Sequence, residues 1–197
     1  MNQVRAVTRA ALRELTHRRA ALVVVALLPL AFYLARHELP GQSVRMLVLG
    51  LGWAVATLAL FGTVGSLGLD RRLRIAGYPM RALVIGRLVA MILAGLGLSA
   101  GYLLLVTVDQ DLQRTWAVGL MMLCAITVAA PLGMAVGLLL KRELEGALGL
   151  LTVLATQMIA DPDGTLAKFL PFWSVRQLAT YAIEETGTSY VTSGLVT

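Results

Sequence analysis

Along the chain, apolar residues come in long blocks and charges fall in short clusters between them. Runs free of Asp, Glu, Lys and Arg cover residues 20–35, 46–69, 88–108, 115–140 and 146–160. A helix rises 1.5 Å per residue, so crossing roughly 30 Å of hydrocarbon takes about 20 residues. The three central runs meet that length; the first and last are short. Backbone N–H and C=O groups find no partners in lipid and must be paired within the spanning segment. The runs are therefore predicted as helices, and the alternation that a transmembrane β-barrel requires is absent. The expected fold is an all-α membrane protein, a polytopic helical bundle with about five spans over residues 20–197.

The first nineteen residues follow a different pattern. Val4, Val7, Ala11, Leu12 and Leu15 recur at helical spacing, while Arg5, Arg9 and Arg13 step by four along another face. This predicts an amphipathic helix over 1–19 that lies flat on the cytoplasmic leaflet, in preference to a merely solvated start to the first span. Its arginines would reach anionic headgroups and its aliphatic face the acyl boundary. A cleaved signal peptide is disfavoured by so long a basic region and by Tyr33, where a cut after Ala35 calls for a small residue.

Composition strengthens the membrane reading. The chain is 58% hydrophobic and 14% charged, against about 25% charged in ordinary soluble domains. A net charge of +6 would suit nucleic acid on a polar fold, but here the basic residues sit in clusters between apolar runs, so no nucleic-acid partner is expected. All of them except Lys141 and Lys168 are Arg, a bias that fits a high-GC bacterial genome and a plasma membrane. Arg5, Arg9, Arg13, Arg18, Arg19, Arg71, Arg72, Arg74, Arg81, Arg87, Lys141 and Arg142 fall on one side of the predicted spans. Arg36, Arg45, Arg114, Lys168 and Arg176 fall on the other, together with Asp109, Asp111, Asp161, Asp163, Glu184 and Glu185. Positive residues are retained inside, which predicts a cytoplasmic N-terminus. Phe32, Tyr33, Trp116, Phe172 and Trp173 then cluster at the outer boundary. Cys124 lies within an apolar run, and His17 and His37 flank opposite ends of the first span, so neither a disulfide nor a shared metal site is expected.

Small residues mark where helices approach closely. Gly97 with Gly101 and Gly133 with Gly137 are GxxxG pairs, and Gly62, Gly65 and Gly68 crowd one half of the second span. Pro29 and Pro131 each remove a backbone donor and permit a kink.

The connection over 70–87 reads DRRLRIAGYPMRALVIGR. Its five arginines, interrupted by Gly77, Tyr78 and Pro79, predict a short amphipathic turn of helix, a break, and entry into the third span. Topology alone needs fewer basic residues, and the surplus suggests a docking surface. Here the chain resembles the permease subunit of an ABC-2 type ABC transporter. That family's loop between the second and third spans runs from an acidic residue through basic residues and a small-residue break with proline to Gly-Lys or Gly-Arg. Asp70, Arg71, Arg72, Gly77, Pro79, Gly86 and Arg87 follow that order. The resemblance implies that 70–87 is a coupling helix seated on a separate ATPase subunit, which binds ATP and Mg, and that the amphipathic start is a connecting helix. It makes Asp70, Arg71, Arg72, Arg74, Gly77, Tyr78, Pro79 and Arg81 the expected docking residues. It also implies a second permease copy, as a homodimer or a related heterodimer.

Asp161, Pro162, Asp163 and Gly164 carry turn chemistry. Beyond them, 165–170 and 171–185 read as two short helices made adhesive by Phe169, Phe172, Trp173, Leu178 and Tyr181, with Pro171 in the favoured first-turn position. This region, 161–190, resembles the family's re-entrant outer helices, while a plain outer loop fits equally well. The family has six spans, and a sixth is expected to follow Thr197, the alternative being a five-span chain that ends on the outer side.

The motifs that are missing narrow the function. No GxxxxGK[ST] phosphate loop is present, so no ATP site is expected in this chain. The five runs hold no acid or base of the kind ion-coupled transporters use. HExxH, GxSxG and DDxxD are absent as well, so the chain is not expected to be an enzyme. Two readings remain: an ATP-driven exporter subunit for an amphipathic or hydrophobic substrate such as a drug, antibiotic, peptide or lipid-like molecule, or a non-transporting scaffold that recruits a cytoplasmic partner. Trp53, Phe61, Tyr102, Met121 and Met122 are the candidate lining of a translocation path, with core packing or lipid contact as the alternative for each.

Overall fold

The computed structural model describes residues 2–110, 114–159, 172 and 175. Among them the chain forms α1 (Asn2–His17), α2 (Arg19–Leu34), α3 (Pro40–Ile75), α4 (Met80–Asp109), α5 (Thr115–Leu140) and α6 (Glu143–Ile159), with no strand. Three helices, α3, α4 and α5, are long and apolar enough to cross a membrane. They contain the runs 46–69, 88–108 and 115–140. The shorter runs lie in α2, with 16 residues, and α6, with 17. The segments Gln3–His17 and Leu22–Leu34 meet at a 77° bend and pass the same test only as one broken span.

The centre of the bundle is α3, which packs against α2, α4, α5 and α6. Val44, Leu47, Val48, Leu51, Ala54 and Val55 leave almost no surface exposed. A helix that is apolar on every side belongs in an interior, and the uncharged run 46–69 meets that condition. Its closest neighbour is α5. A Cβ at Gly133 would run into the Ala56 carbonyl, and one at Gly137 would lie 3.1 Å from the Leu60 carbonyl. That glycine pair thus lets two backbones touch. The other pair does not: nothing lies within 4 Å of a Cβ at Gly97 or Gly101 among the described residues. Pro29 is buried where α2 crosses Gly50, while Pro131 is exposed on α5 and the helix runs through it.

Hydrophobicity ends before the helix does. Past Leu69, α3 continues through Asp70 and the arginines to Ile75, because Arg, with good helix propensity, extends the backbone ladder as readily as apolar residues do. Gly77 then takes φ +90°, the left-handed geometry that favours glycine after a helix, and Pro79 caps α4 in extended conformation. The segment 70–87 is therefore mostly the tip of a helical hairpin, broken only over 76–79.

The amphipathic start forms as α1, with Arg5, Arg9 and Arg13 all exposed. Its apolar stripe packs on protein: Val7 sits against Gly86, where a Cβ would come within 2.7 Å of the Val7 Cβ. Thr8 Oγ1 lies 2.9 Å from the carbonyls of both Val4 and Gly86. The aliphatic face expected in the acyl boundary is thus occupied by the start of α4. Of the expected outer helices in 161–190 only Phe172 and Val175 are described, both buried; Phe172 covers Gly52 on α3, and the remainder lies outside the described residues.

Candidate functional site

The hairpin tip sorts its charges by direction. Arg71, Arg72 and Arg74 on the last turns of α3 and Arg81 on the first turn of α4 are exposed. Asp70 and Arg87 instead face each other across the hairpin. Arg87 Nη1 and Nη2 each donate to one carboxylate oxygen of Asp70 at 2.8 Å, a bidentate pair whose side chains are 8% and 13% exposed. Fork-to-fork geometry fixes orientation as well as distance. The pair closes because of where the break falls. Asp70 lies five residues before the end of α3 and Arg87 seven after the start of α4, about 8 and 10 Å from the turn at 1.5 Å per residue, so the two stand roughly level.

A cleft of about 410 Å³ runs between this pair and α1, bordered by Ala10, Glu14, Ser66, Leu73 and Tyr78. Tyr78 is half-buried, and Gly77 and Pro79 are exposed at the turn itself. The anchor between α1 and α2 lies next to it. Arg18 pairs with Glu14 at 3.0 Å and lays its guanidinium across α3 at Gly65, where a Cβ would meet Nη2 at 2.7 Å. Sequence reading placed Asp70 among the docking residues, but its carboxylate is turned inward to Arg87. The arginines around it are the groups that face outward. The pairing had one sequence signal, an Asp and an Arg at comparable distances either side of a Gly-Tyr-Pro break. The seat of Arg18 on Gly65 had none.

The five residues expected to line a path lie in different surroundings. Met121 and Met122 are fully buried in the core. Tyr102 donates its hydroxyl to the Ala26 carbonyl, next to the Val25 carbonyl whose usual amide donor Pro29 cannot supply. Phe61 borders a small cavity of about 30 Å³ between α1, α3 and Met91. Trp53 is half-buried on α3, and its indole N–H and the Thr57 hydroxyl one turn on have no hydrogen-bond partner among the described residues. No group of three or more His, Cys, Asp and Glu placed to hold a metal occurs among the described residues.

Comparison with known proteins returned no matching family model, no similar curated protein and no similar solved structure.

Proposed function

We propose that this chain is the membrane-embedded permease subunit of an ATP-driven exporter of the ABC-2 type, with the α3–α4 tip as the surface that engages a separate ATPase. One observation carries the reading. The tip is a stiff helical hairpin, held by the buried pair of Asp70 with Arg87, that projects four exposed arginines. Such a lever can transmit a push without bending, and its charge suits an acidic groove on a soluble partner. In this reading α2 and α6 complete a five-span bundle, and the N-terminus lies in the cytoplasm of a bacterial cell. A second copy of the chain or a related one pairs with it. ATP and Mg are held by the ATPase, and differential binding of that subunit to two bundle states supplies the work. The substrate is amphipathic or hydrophobic.

The test is co-purification from the native host followed by export. Wild-type protein is expected to retain an ATPase subunit, and Arg72→Glu with Arg74→Glu to lose both the ATPase and export while α-helicity is kept. Retention of a partner without ATPase activity, unaffected by ATP, would favour the scaffold reading. Unchanged export in the double variant would sink the coupling role of the tip.

A further inference from the structure

At the end of the bundle opposite the hairpin tip, α2 and α4 stand apart and are tied by two tyrosines. Tyr33 of α2 donates to the Asp109 carboxylate at the end of α4, and Tyr102 of α4 donates to the Ala26 carbonyl of α2. Between the ties runs an open groove of about 520 Å³, within the roughly 300–1,000 Å³ typical of small-molecule sites. Leu30 and Leu34 form one wall, Leu104, Leu105 and Val108 the other. Gly101 leaves the floor open, with nothing within 4 Å of a Cβ there. All the polarity is at one end, where His37 Nδ1 lies 3.5 Å from the same Asp109 carboxylate and both side chains keep access to solvent, 51% and 38% exposed.

The electrostatics of that end favour a cation. Both helices terminate there, α2 at Leu34 and α4 at Asp109, and a helix C-terminus carries the equivalent of about half a negative charge. Two such ends converge on a carboxylate. Arg36 and Glu38 flank His37 on the exposed α2–α3 turn with opposite charges, and of the residues lining the groove Asp109 is the one acidic group.

We propose that this groove binds a single-chain cationic amphiphile, with its ammonium group on Asp109 and its alkyl chain laid between the leucine walls toward Gly101. This site does not depend on the exporter reading and holds for a scaffold equally well. An anionic lipid of the same chain length fits the walls but meets negative charge at the head.

The experiment uses the full chain in nanodiscs of zwitterionic lipid. Dodecylamine and dodecanoic acid carrying a photoactivatable diazirine at the chain end are cross-linked in parallel, and the adducts are mapped by mass spectrometry. The amine is expected to label peptides covering 30–34 and 101–108 about tenfold more than the acid, a difference worth about 1.4 kcal/mol, and to be displaced by unlabelled dodecylamine. Asp109→Asn is expected to bring amine labelling down to the level of the acid. Gly101→Leu, which fills the floor without a clash, is expected to remove groove labelling while adducts on the far face of α4 at Ile85 and Val89 persist. Equal labelling by amine and acid, labelling that does not saturate, or indifference to both substitutions would each overturn the site, leaving ordinary contact with acyl chains.

Discussion

Removing the Arg87 guanidinium would leave the Asp70 carboxylate in a cleft roofed by α1, with its bidentate partner gone. Breaking one side of a buried ion pair costs about 3–5 kcal/mol, because a charge remains without compensation. Arg87→Ala and Asp70→Ala are each expected to lower the thermal midpoint of the purified protein in detergent. Asp70→Leu combined with Arg87→Met is expected to lose less than either single change, since apolar replacements of a buried pair are often neutral. If the double variant is as unstable as the singles, the pair is not an isolated ionic contact. A second residue sits in an unfavourable backbone region for a different reason. Lys141 ends α5 with φ 55°, and it is the only positive-φ residue other than glycine among those described. A left-handed L-residue costs roughly 1–2 kcal/mol that glycine avoids. Lys141→Gly is therefore expected to raise the same midpoint, and a fall would show that the lysine side chain makes a compensating contact.

Helix packing separates two motifs that look alike as text. The Gly133 and Gly137 pair lies at the α3–α5 contact, against the carbonyls of Ala56 and Leu60; the Gly97 and Gly101 pair faces outward on α4. Spacing alone could not distinguish them, because GxxxG states only that one helix face is small and says nothing about which face meets protein. Gly133→Leu is expected to abolish recovery of folded protein on size-exclusion chromatography, since the obstruction is backbone and cannot move aside. Gly97→Leu is expected to leave the chromatogram unchanged. Helix α1 shows the same limit of sequence reading. Its periodicity located the apolar and arginine faces, but the partner of the apolar face was set by Gly86, 78 residues from Thr8, and no local pattern encodes that distance. The uncharged runs fared better: length and hydropathy are local quantities, and they placed the cores of α3, α4 and α5. They underestimated α3 at its charged end, where helix propensity rather than hydrophobicity decides.

At the scale of the molecule the bundle has two unlike ends. One gathers α1 with its exposed arginines, the α3–α4 tip and the turn at Lys141 and Arg142; the other gathers Tyr33, His37, Asp109 and the convergent ends of α2 and α4. Charge counting reads this asymmetry from sequence because it needs only the order of spans. The groove between α2 and α4 was hidden from it, since its polar head joins residues 76 apart. The same asymmetry makes orientation testable without reference to any activity. With Cys124 replaced by Ser, the protein has no other thiol, so single cysteines at Arg81 and at Glu38, both exposed positions on opposite ends, report sidedness directly. The positive-inside bias predicts that Glu38→Cys reacts with a membrane-impermeant maleimide on intact cells, and that Arg81→Cys reacts only after permeabilisation. The reverse pattern would invert the bundle and put the arginine tip outside, out of reach of any cytoplasmic ATPase.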